Sequence, residues 1–472
     1  MNPRYFIQTF GCQMNAHDSE RMAGMLDALG YDPTTEAGEA DVILMNTCAV
    51  RERPEHKLYS ELGELRQLKK SNPNLVIGVA GCMAQREADA IRKRVPEVDI
   101  LLGPRNIHHL PHLLRETHRR QGGEAFAPGD ARFFDGLDLE CDPTPVTPVR
   151  RRSAISAYVD VIFGCNFNCT YCAVPSARGR EVSRRPSEVL DEIRSLRDLG
   201  YREITLLGQT VNAYGHDLGK LDDGTRIDFA WLLEQIDRID STLRVRFTSP
   251  HPMYFNDRLI DAISSTKSVC EHLHFPLQSG DNDCLRRMKR TYTVEKYSRI
   301  IEKVRERIPN VAVTTDVIVG FCGETEAEFQ NTMKAMRDID FDHAFMFAYS
   351  PRHSTEAWDW PDDVPAETKQ RRLAELIAQL NDAARIKNRA RLGETVEVLV
   401  EAVSDKDAEV LVGRTRTNKL VKFEGNLDAF PPGSLVDVRT TEAFMWGFSG
   451  EAVSCVAPAA RSHTLMELTM VS

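Results

Sequence analysis

Three cysteines, Cys165, Cys169 and Cys172, lie close together in the string GCNFNCTYC. They offer three thiolates to a single inorganic centre. A 4Fe-4S cluster ordinarily takes four protein thiolates, so a three-cysteine set leaves one iron open to a further ligand. A structural zinc site also wants four ligands, and neither flank of the triplet supplies a nearby fourth Cys or His; Cys141 lies well upstream. The spacing therefore favours a reactive cluster over a structural ion.

A second cysteine set is dispersed. Cys12 ends the run RYFIQTFGC, Cys48 ends DVILMNTC and Cys82 ends NLVIGVAGC. Cys12 to Cys48 is 36 residues and Cys48 to Cys82 is 34, which fits one strand-helix-strand unit each. Such units predict parallel strands whose C-terminal ends share one edge, where ligands of open α/β sheets gather. A single cysteine at a strand end is most often buried structure. Three in matched positions point instead to a shared metal or cluster site, and Gly11 and Gly81 allow close backbone approach to a bulky group.

The elements that must position these residues follow from composition and patterning. At 472 residues the chain is long enough for two to four domains, with 42% hydrophobic and 28% charged residues in a soluble globular balance. The net charge of −10 argues weakly against a nucleic-acid coat but leaves room for a local basic patch. Neither a secretory core nor a run of about 18 apolar residues is present, so a cytoplasmic protein without membrane partners is expected. Eleven cysteines without a secretory signal read as reduced thiols or cluster ligands rather than disulfides.

The fold class is α/β. Residues 1–118 are expected to form an open parallel α/β sheet, followed by a Gly-, Pro- and Asp-rich linker at 119–150. Over 151–388, six apolar runs alternate with helical segments: AYVDVIFG, REITLLGQ, LRVRFTSP, EHLHFPLQ, VAVTTDVIVG and HAFMFAYSP. They predict a central partial (β/α) barrel of about six strands. Residues 389–452 hold short strands broken by Gly and Pro and read as a small β-barrel, and 453–472 as a poorly anchored tail.

With Tyr171 between the last two cysteines, the triplet resembles that of the radical S-adenosylmethionine enzymes. Adding Cys12, Cys48 and Cys82 narrows the resemblance to the methylthiotransferases. It rests on FGCQMNAHDSERM, NTCAVRERPEHKLYSELG, GVAGCMAQRE, GCNFNCTYCAVPSARGRE, LLGQTVNAYG, HFPLQSGD, DVIVGF and GRTRTNKLVKFEG, and covers the chain apart from linker and tail. The MiaB-type branch is favoured by GCQMN and NTCAVRE.

That resemblance implies two 4Fe-4S clusters and S-adenosyl-L-methionine. The cluster on Cys165, Cys169 and Cys172 would generate a radical that removes hydrogen from carbon 2 of N6-isopentenyladenosine beside the tRNA anticodon. The cluster on Cys12, Cys48 and Cys82 would hold or donate sulfur. The partners implied are the tRNA anticodon stem-loop and an electron donor of unknown identity, and the chain is expected to be a monomer. Methylthiotransferases acting on threonylcarbamoyl adenosine or on a ribosomal protein are the competing substrates. A non-catalytic iron-sulfur RNA-binding protein is the competing class, disfavoured because a structural cluster should be saturated by protein ligands.

Other positions carry weaker signals. Tyr171, Gly208 and Gln209 are candidate cofactor contacts by resemblance, with a helix-entry turn as the plain alternative for Gly208 and Gln209. Ser249, Gln278 and Asp316 end or line later strands and could contact cofactor or base, or serve as hydrogen-bonded scaffold. His272 and His274, two apart on one strand face, read as structural. Cys141, Cys270, Cys284 and Cys455 have no partner pattern and read as ordinary thiols. Two departures from the family pattern, Cys322 in place of a proline and YSPRHSTEA near Arg352, bear on loop geometry. In the last domain, which resembles a TRAM module, Arg414, Arg416, Lys419 and Lys422 are candidate RNA contacts.

Overall fold

The computed structural model describes residues 2–48, 52–122 and 134–458. The centre of the expected linker, Ala49–Arg51 of the NTCAVRE stretch, and the expected tail from 459 onward lie outside them.

The N-terminal unit is a six-stranded parallel sheet of β1 (Arg4–Thr9), β2 (Asp32–Pro33), β3 (Val42–Thr47), β4 (Val76–Gly81), β5 (Ile100–Leu102) and β6 (Phe134–Gly136), in the order β2-β1-β3-β4-β5-β6. Every residue of β3 and β4 is buried, as expected for strands covered on both faces. Their side chains alternate between two cores. Ile43, Met45, Ile77 and Val79 pack with Leu58, Leu62 and Leu65 on one side, and Val42, Leu44 and Val76 pack with Met22, Leu26 and Leu113 on the other. The edge strand β6 comes from the segment read as linker: its three residues pair with β5, too short a run to stand out among neighbouring Gly and Asp.

The central unit contains β7 (Ser156–Asp160), a short antiparallel pair β8 (Ile162–Phe163) and β9 (Val182–Ser183), then β10 (Glu203–Leu207), β11 (Arg244–Phe247), β12 (His272–His274), β13 (Ala312–Val319) and β14 (His343–Ala348). The six longer-range strands form two parallel three-stranded sheets, β7-β10-β11 and β12-β13-β14. A single bridge, Val245 to Val269, joins them. One continuous apolar core fills the curve, from Val159 on the first strand to Ala344 on the last. This is the expected partial barrel.

The helix Ala366–Arg389 leads into a closed five-stranded barrel of β15 (Thr395–Ser404), β16 (Asp407–Thr415), β17 (Leu420–Glu424), β18 (Leu435–Ala443) and β19 (Gly447–Ala457), ordered β15-β16-β17-β19-β18. Here β19 continues beyond residue 452, because Ser454, Cys455 and Ala457 still pair with β18. Among the described residues no helix is long and apolar enough to cross a membrane.

Candidate functional site

β1, β3 and β4 are adjacent and parallel, with Thr9 opposite Asn46 and Thr47 opposite Gly81. Cys12, Cys48 and Cys82 therefore leave the sheet along one edge. The approach requires glycine at both preceding positions. Gly11 has φ +130°, and a Cβ there would sit 2.5 Å from Cys48 Cβ; Gly81 has φ +91°, and a Cβ there would meet Asn46 Oδ1 at 2.6 Å. Asn15 ties the three strand ends together. Its Oδ1 accepts from the Cys12 thiol at 3.3 Å, while its Nδ2 donates to Asn46 Oδ1 at 3.2 Å and the Thr47 carbonyl at 3.1 Å. Thr47 Oγ1 donates to the Ala80 carbonyl at 2.7 Å.

Cys48 and Cys82 are buried, and Cys12 lies at the exposed rim. The Cys12 thiol is lowered to about 6, chiefly by a hydrogen bond from Cys48, with help from Arg178 and the amides of Asn15 and Met14. Cys82 is raised by burial, against which the Arg178 charge works. Such a set, one ready thiolate and two desolvated thiols beside a guanidinium, suits an inorganic group that takes thiolate ligands.

The second set lies in the loop between β8 and β9, whose antiparallel pairing closes the loop at its base. The Cys165 amide donates to the Gly179 carbonyl at 3.0 Å, and the Gly164 amide donates to Gln209 Oε1. The Cys172 amide donates to the Cys169 carbonyl at 3.0 Å, forming a tight turn between these two ligands. Cys165 Sγ lies 3.3 Å from Thr210 Oγ1. Arg290 donates from Nη1 to Cys169 Sγ at 3.3 Å, its guanidinium 5.0 Å from the Tyr292 ring centroid. Burial raises Cys165 and pushes Cys172 up to about 12, where the neighbouring Cys169 adds to the effect. A strongly cationic partner such as an iron-sulfur core would favour their thiolate forms, the protons passing to solvent.

Among the described residues, Gln209 Nε2 and His251 Nε2 are buried near this loop without a protein partner. His251 stacks on Phe167 of the cysteine loop, with centroids 3.8 Å apart and planes 18° apart. Its Nδ1 accepts from the Met253 amide at 3.2 Å, which places the ring proton on Nε2. Unsatisfied buried donors are costly, and these two fit a polar cofactor bound against the loop.

The two cysteine sets are joined through Arg178. The helix Val174–Arg178 starts two residues after Cys172 and packs against the helix Cys82–Arg86. Burial opposes the Arg178 charge, but Asp18, Cys82 and Cys12 outweigh it and hold the guanidinium protonated. Its Nη2 donates to Asp18 Oδ2 at 2.7 Å, both side chains being almost fully enclosed. From the other side, Arg105 Nη1 donates to the carbonyls of Arg178 and Arg180 at 3.1 and 3.0 Å. Arg178 lies six residues after Cys172, at the end of that short helix.

Other predicted residues occupy varied settings. A Cβ on Gly208 would lie 2.5 Å from Ile162 Cγ2, so the turn after β10 packs directly on β8. Tyr171 is half-buried against Phe321, beside Cys322. Ser249 and Gln278 have positive φ, 56° and 73°, a strained state for residues other than glycine. The Gln278 amide donates to the Asp316 carbonyl at 2.8 Å, and the Asp316 carboxylate lies 3.3 Å from His274 Nε2. His272 and His274 bracket Thr314 Oγ1 at 3.4 and 3.0 Å, and burial keeps His272 neutral.

The four basic residues of the last domain divide in two. Arg416 donates to Glu271 and to the Val269 carbonyl, and buried Lys419 lies 3.6 Å from Asp342. Both are built into the seam between the C-terminal barrel and the central unit. Arg414 is partly exposed with Glu401 3.3 Å away, and Lys422 faces outward between buried Val421 and Phe423. Arg178, Arg290, His251 and Asn15 were not among the sequence candidates. Arg178, in SARGRE directly after the triplet, and Asn15, in GCQMN around Cys12, carried a local signal.

Comparison with known proteins matches residues 4–103 to the Uncharacterized protein family UPF0004, 159–336 to the Radical SAM superfamily and 389–447 to the TRAM domain. The chain is 45% identical over 452 residues to a tRNA-2-methylthio-N(6)-dimethylallyladenosine synthase of Halalkalibacterium halodurans, covering 95% of this chain and 81% of the relative. A Clostridium botulinum protein of the same name is 43% identical, covering 95% and 97%. In fold it resembles the radical S-adenosylmethionine methyltransferase TsrM of Kitasatospora setae, with TM-score 0.55, 16% identity and coverage of 76% and 77%.

Proposed function

The chain belongs to the tRNA-2-methylthio-N(6)-dimethylallyladenosine synthase family of radical S-adenosylmethionine enzymes, and from that premise we propose that it methylthiolates carbon 2 of N6-isopentenyladenosine beside the tRNA anticodon. Cys165, Cys169 and Cys172 would hold one 4Fe-4S cluster, and Cys12, Cys48 and Cys82 a second. When bound, these clusters and S-adenosylmethionine supply one-electron chemistry at an unpolarised C–H bond together with sulfur and a methyl group, none of which a side chain carries.

The protein's own residues position and exclude. Arg290 and Thr210 orient Cys169 and Cys165. Gln209 spends its oxygen on the Gly164 amide, leaving Nε2 to donate to a cofactor, as does His251 Nε2. Asn15 locks Cys12 to the ends of β3 and β4. Arg178 supports the reading most strongly, because one side chain from the segment after Cys172 neutralises charge at Cys12 and Cys82. A base held between the sets then meets both within one bound geometry, the condition under which two reagents act without diffusion between steps.

An adenine in a stacked anticodon loop must be splayed out to reach either cysteine set. Lys422, which faces outward, and the partly exposed side chain of Arg414, whose backbone lies at the seam, are the candidate cations left for phosphates, and an external electron donor completes the requirements. The test supplies the reconstituted protein, without oxygen, with S-adenosylmethionine, a reductant and tRNA carrying isopentenyladenosine, and reads the digested nucleosides by mass. The methylthio nucleoside is expected. Its formation on threonylcarbamoyl adenosine instead, or S-adenosylmethionine cleavage without any methylthio product, would overturn the substrate or the reaction.

A further inference from the structure

Away from both cysteine sets, three more ligand side chains converge. His108 and His109 end the short helix Pro104–His109, and Cys141 lies after β6. Cys141 Sγ is 3.4 Å from His109 Nε2 and 3.7 Å from His108 Nε2, and the three ligand atoms lie within 4.8 Å of one another. Metal bonds of about 2.3 Å to sulfur and 2.0–2.1 Å to nitrogen, at a tetrahedral angle, set sulfur and nitrogen about 3.5 Å apart. The observed spacings straddle that value.

A hydrogen-bonded cluster explains the arrangement less well. One thiol proton serves one imidazole, and the second ring would have to turn its own N–H toward the sulfur. Yet both rings, adjacent in sequence with centroids 4.2 Å apart, aim Nε2 at the same atom. We propose that His108, His109 and Cys141 bind a zinc ion, with the fourth position open to water. All three residues are half-buried, which leaves a path to solvent. On binding, the thiol proton passes to solvent, and zinc, with no redox change, takes the thiolate and two neutral imidazoles.

The ion would act as a clip. Segment 137–141 already docks on the N-terminal sheet: Gln85 Nε2 donates to the Leu137 carbonyl, Asn106 Nδ2 to the Asp138 carbonyl and Arg105 Nε to the Cys141 carbonyl, at 2.7, 2.9 and 2.9 Å. Arg105 is also the residue that holds the Arg178 and Arg180 carbonyls. Fastening Cys141 to His108 and His109 thus fixes Arg105 against the backbone of Arg178 and Arg180. Nothing in the proposed reaction requires this ion.

The experiment uses the full-length protein with its iron-sulfur clusters in place, equilibrated against buffered zinc. About one zinc per chain is expected by elemental analysis. Absorption at the zinc K edge, which ignores iron, should show one sulfur and three nitrogen-or-oxygen neighbours, two histidine nitrogens and a water oxygen. Losing an outer-shell partner weakens such sites about 10–100-fold, so Cys141→Ser and His109→Ala, each removing a ligand, should bind zinc about 100-fold more weakly or worse at unchanged iron and sulfide content. Iron and sulfide equal to those of the unaltered protein certify that the variants fold. No zinc uptake, zinc surrounded by three sulfurs, or undiminished uptake by Cys141→Ser would each overturn the proposal.

Discussion

At the residue scale, Arg178 makes the sharpest prediction. It is buried, paired with Asp18, and faces two cysteines from another domain. Breaking a buried pair leaves an uncompensated charge and costs about 3–5 kcal/mol. Arg178→Met should therefore lower the stability of the cluster-free chain by that order in a denaturant titration. Removing Asp18 as well, in Arg178→Met with Asp18→Leu, should restore part of the loss, whereas additive losses would show the pair to be uncoupled. His251 gives a pH prediction. Burial, reinforced by Arg290, lowers it to about 2, while an unfolded imidazole titrates near 6.5. The unfolded chain then binds the extra proton, so stability present above about pH 6.5 drains away as pH falls toward 2. His251→Asn should flatten the slope of unfolding free energy between pH 7 and 5 by up to about 1.4 kcal/mol per pH unit; an unchanged slope would mean His251 is protonated in the folded chain. The six cysteines were legible in sequence because each set follows a pattern, one local and one set by strand ends. Arg290 and His251 were not, since each acts across a distance that only the fold closes; Asn15 stood inside GCQMN, but its bonds to Asn46 and Thr47 form only once the strands pair. Cys141, read as an ordinary thiol, found its histidine neighbours for the same reason.

At the element scale, the strand ends explain why glycine precedes the cysteines. Gly81→Ala places a Cβ against Asn46 and the Thr47 backbone at φ +91°, a conformation only glycine adopts freely. The variant should still cleave S-adenosylmethionine, because the loop between β8 and β9 is untouched, while yielding less methylthio nucleoside. An equal fall in both would show that Gly81 supports the whole fold rather than the Cys82 edge. Gly63 is the matching control. It lies on the exposed side of the helix Glu52–Ser71 with open space around it, so Gly63→Ala should stabilise by about 0.5–1 kcal/mol without altering activity. The strands that lead to Cys48 and Cys82 were readable because they are buried on both faces and so run as largely apolar stretches, whereas β1, only partly buried, was marked by its match to their spacing. β6 and the end of β19 escaped notice for the opposite reason. A three-residue edge strand and an exposed final strand leave little hydrophobic trace, and their pairing is decided by β5 and β18 rather than by their own residues.

At the scale of the whole molecule, the net charge of −10 makes tRNA binding a question of where the exposed cations sit. The seam between the central unit and the C-terminal barrel consumes several basic side chains. Arg244 donates to the Arg414 carbonyl and to Glu397, Arg246 donates to the carbonyls of Thr415 and Arg416, and Arg416 grips Glu271. Four basic residues within nine positions looked in sequence like one RNA-facing strip, because alternation along a strand separates outward from inward but not free surface from seam. The division is measurable. Each phosphate deprived of its cation lowers the slope of log affinity against log salt by about 1. Arg414→Ala and Lys422→Ala should each show that reduction in tRNA titrations, with the barrel still docked. Arg416→Ala should leave the slope unchanged but loosen the seam, read as faster amide exchange at Thr415 and Lys419 and around Val269. A slope lowered equally by all three variants would mean that Arg416 leaves Glu271 for phosphate when tRNA arrives, and that the barrel reorients on its seam to bring the anticodon loop to the cysteine sets.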